Sequence, residues 1–312
     1  MERFYKVKGS PLVSIITPSY NQGGFIEETI KSVLSQDYPE IEYIVIDGGS
    51  TDNTVEILKK YEGRIKWVSE KDRGQSDAIN KGFGMARGEI FAWLNSDDIY
   101  MKGAVGKAVA FLDNHPDVKL IYGDALFCDE NGKIVGEYHS PDTFNYKKLA
   151  FYNSICQPST FFKREAFFDA GGIDLNLHHL MDHDLWMKMA KNNEVAHIPE
   201  ILSIYRLHSE SKTVSELHGL KRNEESLKLR MMHYGWAPIN HVYGYSYYLV
   251  KNKMPSFFAR FEILVIFIAL LVSLVKYIRL NRGIKIEDIE VMKLSNIRKL
   301  FFGGWELKNL MK

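Results

Sequence analysis

LVSIITPSYNQGG, residues 12–24, opens on an almost unbroken apolar run over residues 12–17 and closes on small and polar turn formers. The run is rich in β-branched residues and lacks the alternation of a half-exposed strand. It reads as a strand covered on both faces, as in a parallel sheet flanked by helices. Downstream the period switches. Ile26, Ile30, Val33 and Leu34 recur at helical spacing, and IEYIVID, residues 41–47, is a second apolar strand ending on Asp47. Gly48 and Gly49 break the chain, Ser50, Thr51 and Asp52 supply helix-start residues, and Val55, Ile57 and Leu58 mark a second helix. Residues 65–68 read as a third strand. A third helix after Gly74 carries Ala78, Ile79, Gly82, Phe83 and Ala86 on one side, and residues 90–94 form a fourth strand. This rhythm predicts a doubly wound, mostly parallel α/β sheet with right-handed crossovers, in which ligands bind beyond the carboxyl ends of the strands.

Composition narrows the classes of function. The chain of 312 residues is 46% apolar, enough for a large domain with an appendage, and its 40 basic and 39 acidic side chains nearly cancel. No global field recruits a polyanion, so no nucleic-acid partner is expected and any electrostatic function is local. Cys128 and Cys156 lack metal-ligand spacing and read as two buried thiols in a reducing compartment. The first twenty residues hold no apolar run of signal-peptide length, so the catalytic part is expected in the cytoplasm.

Beyond residue 207 the pattern changes. Residues 217–232 form a charged helical stretch and residues 257–277 are strongly apolar, which puts the expected domain boundary near 215 and makes 216–312 a helical extension. The charge-free heart of the apolar segment covers residues 263–275, short of the roughly 20 residues of a crossing helix. Lys251, Lys253 and Arg260 precede it, and Lys276, Arg279, Arg282 and Lys285 follow. Basic residues at both ends predict a helix lying in or dipping into the cytoplasmic leaflet, where anionic lipids attract them. A buried tail helix or a homodimer contact is the alternative.

The chemistry concentrates at strand ends. Asn95-Ser96-Asp97-Asp98 follows the fourth strand. Adjacent carboxylates repel unless a cation lies beside them, so a divalent metal, Mg²⁺ or Mn²⁺, arriving with a diphosphate is set against a solvated surface turn. In a parallel sheet Asp47 and residues 17–21 open into the same crevice. Asp47 either accepts a hydrogen bond from a base N–H or closes its Gly-Gly turn, while Thr17, Ser19 and Tyr20 frame the ring. KDRGQSD, residues 71–77, brings the cation of Arg73, the acid of Asp77 and helix N-terminal amides to the third helix, which suits a phosphate. Asp182 precedes Leu185, Trp186, Met189 and Ala190 at helical spacing, so it suits a helix cap, and its carboxylate can also take a proton from a hydroxyl.

The strings VSIITPSYNQGGFIEETIKSVLSQDYP, IEYIVIDGGSTDNT, EKDRGQSDAINKG and IFAWLNSDD occur in that order within the first hundred residues. Gln157-Pro158-Ser159-Thr160-Phe161, Met181-Asp182-His183-Asp184-Leu185-Trp186 and Tyr205-Arg206-Leu207-His208 follow. With these motifs, over roughly residues 10–215, the chain resembles the family 2 inverting glycosyltransferases of GT-A fold, of the non-processive bacterial polysaccharide-assembly type. The resemblance implies a catalytic domain over residues 1–215, with a nucleotide-sugar-binding half up to about residue 125 and an acceptor-side half beyond it. It also implies that Asp47 contacts the nucleotide base, that Asp98 binds the metal directly, and that Asp97 holds the ribose or donor sugar. Asp182 takes the place of the catalytic base, with Met181 where the family usually has Glu. His208 stands where some relatives supply a late histidine to the metal or diphosphate; a structural histidine is the alternative. The implied partners are a nucleotide-diphosphate sugar donor, a saccharide or lipid-linked saccharide acceptor, and the cytoplasmic membrane surface, in surface polysaccharide or glycolipid biosynthesis.

Other classes fit less well. Residues 18–22 replace the G-x-G-x-x-G of a nicotinamide dehydrogenase, and no G-x-x-x-x-G-K-[ST] is present. The Q-x-x-R-W string and long spans of processive synthases are missing too, so transfer of one or a few sugars per encounter is expected. A non-catalytic nucleotide-sugar-binding subunit of a membrane assembly complex would keep the fold, but Asp47, Asp97, Asp98 and Asp182 together favour an enzyme.

Overall fold

A computed structural model describes residues 9–209, 211–212 and 219–291. The chain divides into two units, Met1–Phe144 with Ser154–Arg206, and Asn145–Asn153 with Leu207–Lys312.

The first unit begins with the alternation expected from the sequence: β1 (Val13–Ser19), α1 (Ile26–Leu34), β2 (Ile41–Asp47), α2 (Thr54–Lys60), β3 (Lys66–Ser69), α3 (Gln75–Met85) and β4 (Ile90–Trp93). It continues with β5 (Ile99–Tyr100), α4 (Ala104–Asn114), β6 (Val118–Cys128), β7 (Ile134–Tyr138), β8 (Thr160–Lys163), α5 (Arg164–Asp169), α6 (Met181–Ala190) and β9 (Glu194–Arg206). The sheet order is β3-β2-β1-β4-β8-β6-β9-β5, with β7 paired to β6. Strands β3, β2, β1 and β4 are mutually parallel, and β8 runs antiparallel between β4 and β6. This is the GT-A arrangement, a doubly wound parallel half continued by a mixed half.

Every residue of β1 and β4 is buried, as the unbroken apolar runs require. One face of the sheet joins Val13, Ile15, Val45 and Ala92 to Ile30 and Val33 of α1, Leu58 of α2 and Val105 of α4. On the other face α3 approaches at backbone distance. A Cβ on Gly82 would lie 2.4 Å from Ile16 Cγ2 and 3.3 Å from Ile46 Cγ1, so only glycine lets the helix seat against both strands. Phe83 then stacks on Phe91 with centroids 4.6 Å apart and meets Phe167 at 4.5 Å, and Trp186 of α6 meets Phe162 at 5.8 Å. Burying each such ring contributes about 1.5–3 kcal/mol.

One acid is buried inside β2. Glu42, only 6% exposed, accepts hydrogen bonds from Ser14 Oγ, Lys66 Nζ and the Arg87 backbone N–H, each at 2.7 Å, and from Arg87 Nε at 2.9 Å. It thereby ties β1, β2, β3 and the α3–β4 turn. Burial pushes its carboxyl up, but the bonds from Lys66, the Arg87 N–H, Ser14 and the Arg87 guanidinium outweigh burial and hold it at about 2 against an ordinary 4.5.

The second unit is helical: α7 (Leu220–Tyr234), α8 (Ile239–Lys253), α9 (Ser256–Ala259), α10 (Glu262–Asn281) and α11 (Ile286–Val291). Polar ties hold residues 145–153 to it. Arg230 Nε donates to Ala150 O at 2.9 Å, while Asn240 Nδ2 and His241 Nε2 reach Phe151 O at 2.9 and 2.8 Å. Helix α10 buries a single stripe, Val265, Ala269, Ser273, Tyr277 and Asn281, at four-residue spacing. Its other faces expose Ile263, Phe267, Leu270, Leu271, Leu274, Val275 and Ile278, and over its 20 residues it is long and apolar enough to cross a membrane.

Because the folded Glu42 value lies below the ordinary one, its stabilisation is complete above about pH 4.5 and is lost as the pH falls towards 2. We expect Glu42→Gln to lower the unfolding free energy by about 2–3 kcal/mol at pH 7 and by much less at pH 3, read by urea denaturation. An equal loss at both pH values would mean that the carboxylate charge contributes nothing.

Candidate active site

The parallel strands end level. Ser19 pairs with Asp47, and Asp47 with Ser69, so the β1, β2 and β3 ends form one rim. Gly48 N–H donates to Ser19 O at 2.8 Å. The β1–α1 and β2–α2 loops are then laced together: Asn21 N–H donates to Ser50 Oγ at 2.8 Å, Gln22 N–H to Thr54 Oγ1 at 3.0 Å, and Gly23 N–H to Asp52 Oδ2 at 2.9 Å. Asn21 takes a left-handed φ of 52°, which asparagine tolerates, and its Oδ1 accepts from Thr51 N–H at 2.8 Å. The rim is a fixed floor.

Asp47 is fully buried in that floor. Its Oδ2 accepts from Gly49 N–H at 3.1 Å, Ser50 N–H at 2.9 Å and Ser69 Oγ at 2.6 Å, and its Oδ1 accepts from the Ser50 hydroxyl. Each carboxylate oxygen has about two acceptor positions, so Oδ2 is filled and Oδ1 keeps one. Asp47 closes the Gly48–Gly49 turn, the second of the two roles that its position offers.

Its neighbours divide. Thr17 is buried, its Oγ1 accepting from Tyr43 OH at 3.1 Å, whereas Tyr20 is 59% exposed at the rim. Ser19 Oγ is buried with no hydrogen-bond partner among the described residues. A buried hydroxyl left in that condition destabilises the fold by about 1–3 kcal/mol unless something engages it. Arg73 and Asp77 pair with each other, with Arg73 N–H to Asp77 Oδ2 at 3.1 Å and the guanidinium to Oδ1 at 3.3 Å. The Arg73 side chain stays mostly in solvent.

The acidic loop after β4 hangs on Asn95. Asn95 Oδ1 accepts from Trp93 Nε1 and from Gln75 Nε2, both at 2.8 Å, and its Nδ2 donates to Gln157 Oε1 at 2.9 Å and to Asp98 Oδ2 at 3.3 Å. Gln157 Nε2 returns to Trp93 O at 2.5 Å. Three strings far apart in sequence thus meet at one amide. From the other side Thr29 Oγ1 donates to Asp98 O at 2.8 Å, Arg206 N–H donates to Asp98 Oδ1 at 3.0 Å, and Arg206 Nε donates to Asp97 O at 3.0 Å. The buried Arg206 guanidinium also pairs with Glu28 and lies 5.1 Å from the Phe25 ring.

The two adjacent acids therefore differ. Asp98 is 1% exposed with both oxygens engaged, and Asp97 is half-exposed. Burial, and then the charge of Asp97, push the Asp98 carboxyl well above the ordinary range, against the opposing bonds from Arg206 N–H and Asn95. Direct metal ligation by Asp98, as the resemblance implies, does not suit a carboxylate so enclosed; Asp97 is the accessible one. Asp97 fits a divalent cation, because Mg²⁺ and Mn²⁺ are commonly held by one or two carboxylates with phosphate and water completing the shell. Among the described residues no group of three or more acidic, histidine or cysteine side chains makes a ready cage.

Asp182 opens α6, whose Met181 Sδ lies 3.3 Å from Ser76 Oγ at the start of α3; that hydroxyl also donates to Leu177 O at 2.9 Å. The Cys156 thiol is pushed up by burial and then by the negative charges of Asp98, Asp124 and Asp182, so those three acids lie within electrostatic reach of one buried sulfur. His208 is buried two residues past β9 and belongs to the second unit. The structure thus brings Asp47, Asp97, Asp98 and Asp182 to the strand-end region. Asn95, Gln157 and Arg206 complete it; all three stand inside strings quoted for the resemblance, but nothing in one sequence says which carbonyl or carboxylate they meet.

The model of glycosyl transferase family 2 matches residues 14–169. A glycosyltransferase of Rickettsia typhi is 30% identical over 227 residues, which cover 69% of this chain and 70% of that protein. The putative teichuronic acid biosynthesis glycosyltransferase TuaG of Bacillus subtilis is 31% identical, over 73% of this chain and 93% of its own. The chondroitin synthase of Escherichia coli is 26% identical, over 80% of this chain and 38% of its own. Among solved structures, S. aureus TarS in complex with UDP-GlcNAc superposes with a TM-score of 0.64 at 19% identity, covering 95% of this chain and 92% of that one. The mannosyltransferase PcManGT of Pyrobaculum calidifontis, in complex with GDP-Man and Mn²⁺, gives 0.56 at 18%, covering 97% and 84%. Both share the fold. The motifs, the strand-end acids and the matched half of the chain agree, and the chain belongs to glycosyl transferase family 2.

Proposed function

We propose that this chain transfers a sugar from a nucleoside-diphosphate donor to a hydroxyl of a saccharide or lipid-linked saccharide, inverting the anomeric centre, in assembly of a surface polysaccharide or glycolipid. The observation that carries the reading is the Asn95 hub. It fixes the Asp97–Asp98 loop at the carboxyl end of β4, the parallel neighbour of β1, whose own end carries the Ser19 hydroxyl. TuaG and the chondroitin synthase, by their names, build polysaccharides, and TarS and PcManGT hold UDP-GlcNAc and GDP-Man, which supports a nucleotide sugar as donor.

Asp97 is the carboxylate we assign to a divalent metal, Mg²⁺ or Mn²⁺, with Asp98 behind it steadying the loop. The Mn²⁺ of the PcManGT complex supports that cofactor. When bound, such a cation supplies Lewis-acid stabilisation of charge on a departing diphosphate. Asp182 accepts the proton of the attacking hydroxyl, and one displacement with one base inverts the centre.

The apolar faces of α10 support attachment to the cytoplasmic leaflet. Seven large apolar side chains of one helix stand in solvent, and Lys276, Arg279, Arg282 and Lys285 follow at its end, a pairing suited to acyl chains beneath anionic headgroups. A homodimer contact is the second reading of that face.

With a panel of nucleotide sugars, Mn²⁺ or Mg²⁺ and a lipid extract as acceptor source, we expect Asp97→Asn and Asp182→Asn each to lower turnover by about 10²–10⁴-fold. The Asp97 variant alone should also weaken the apparent metal affinity. Full activity in Asp182→Asn would remove the base assignment. For the membrane reading, vesicles with a quarter anionic lipid should carry the full chain upward in a sucrose gradient, and Phe267→Asp with Leu274→Asp should abolish flotation. Wild-type protein that stays at the bottom as a dimer would transfer the face to a second copy.

A further inference from the structure

The later turns of α10 carry a cavity of about 630 Å³, lined by Leu271, Val272, Val275, Lys276, Arg279 and Leu280. That volume falls within the about 300–1,000 Å³ of small-molecule sites. Its walls are rooted in the unit. Val272 packs against the cluster of Val250, Val265 and Ala269, and Leu280 against the cluster of Leu227, Ala237, Val242 and Tyr277. Leu271 and Val275 remain 53% and 51% exposed beside them. Four apolar side chains thus share one cavity with an ammonium and a guanidinium.

Those two cations are positioned and uncompensated. Tyr245 of α8, itself packed on the Tyr277 cluster, sets its ring centroid 4.4 Å from Lys276 Nζ. A ring face holds an ammonium in place and leaves N–H donors open. The helix dipole favours a cation in the last turn but satisfies none of its donors. Among the described residues neither Lys276 nor Arg279 has an acidic partner. The start of the helix differs. Glu262, the one acid in α10, accepts from Tyr247 OH and pairs with Lys251 at 3.5 Å. Charge therefore cancels at the first turn of α10 and accumulates towards its end.

We propose that this cavity binds one lipid whose phosphate carries net negative charge, with the phosphate on Lys276 and Arg279 and the upper part of an apolar chain along Leu271, Val272 and Val275. This rests on the membrane reading of α10 given above and narrows it from an attractive surface to a site. Arginine grips a phosphate through two parallel N–H bonds, and lysine meets it as a point charge. Free phosphate would engage the cations and leave the four apolar side chains in water. A second copy of α10 would cover those side chains but bring no free acid, since Glu262 is already engaged, and the two cations would be desolvated without a counter-charge. A lipid phosphate supplies the charge and the chain together.

The test is sedimentation of the full chain with vesicles of phosphatidylcholine alone and with a quarter of phosphatidic acid, at fixed ionic strength. An anionic surface alone strengthens binding about fivefold for each nearby cation, so removing any two sets a baseline loss of about thirtyfold. Arg282→Gln with Lys285→Gln removes two charges outside the cavity lining and should lose no more than that baseline. Lys276→Gln with Arg279→Gln removes the same charge from the cavity and should lose at least about tenfold more, the scale of hydrogen bonds to a charged group. Val275→Trp, which fills the cavity at constant charge, should lower the preference for phosphatidic acid while keeping the binding to phosphatidylcholine. Melting midpoints and helical circular dichroism should match the wild type throughout. Equal losses from the two double variants overturn the site and leave the anionic-surface reading standing, as does a preference that Val275→Trp does not change. Release of the protein from vesicles by inorganic phosphate at constant ionic strength makes a free anion the occupant and overturns the lipid. Binding to neither kind of vesicle removes the membrane reading itself, and the site with it.

Discussion

The burial of Asp98 is the constraint around which the catalytic unit is organised. A carboxylate 1% exposed beside a second acid is unstable unless its oxygens are met by donors, and one near and one distant residue supply them. Arg206 N–H comes from the end of the last strand, and the Asn95 amide comes from the same loop, itself fixed by Gln75, Trp93 and Gln157. Satisfying one buried acid therefore draws the start of α3, the end of β4, the turn before β8 and the end of β9 to a single point. The neighbour, Asp97, stays partly exposed. Division of labour between adjacent acids follows from which one the packing can desolvate.

The parallel half of the fold was legible because its physics is local. Unbroken β-branched runs at residues 12–17 and 41–46 admit burial on two faces and little else, and the helical spacing of Ile26, Ile30 and Val33 places a covering layer between them. The mixed half was not legible in the same way. Strand β8 inserts antiparallel between β4 and β6, a pairing across some seventy residues that no period in the sequence encodes. The site shows the same split. Asp97 and Asp98 could be picked out because two acids at a strand end are electrostatically conspicuous, whereas Asn95, Gln157 and Arg206 are ordinary residues whose importance is only their partners. Asp47 by its position suits either a ligand contact or the closing of its turn; the four hydrogen bonds that realise the second depend on the turn geometry of Gly48 and Gly49 and on Ser69.

The second unit obeys a different balance. Its apolar clusters are small, Leu227 with Ala237, Val242 and Tyr277, and Val250 with Val265 and Ala269, and much of its order comes from polar ties. Asn281 exchanges hydrogen bonds with both Ala237 N–H and Ala237 O, at 2.9 and 2.8 Å, and Asp288 accepts from Tyr277 OH and Ile239 N–H. Such ties leave the outer faces of α10 free of any packing duty. The apolar residues there, from Ile263 to Ile278, are not needed to hold the unit together, so their chemistry reflects what lies outside it.

A role in a strand-end crevice is defined by a point in space, and more than one strand can reach it. The end of β2 and the segment after β3 converge so closely that a Cβ at 48 and the Asp72 carboxylate exclude each other. A side chain at either position can therefore present its oxygen to the same place, provided the other is glycine or withdraws. In this chain the choice has two linked consequences. Asp47 is released to lock the turn, and the accessible carboxylate is anchored by Gly74 at the mouth of α3. Gly48 and Asp72 are then a single structural unit, and substitutions at the two positions should be coupled in energy although 24 residues separate them in sequence.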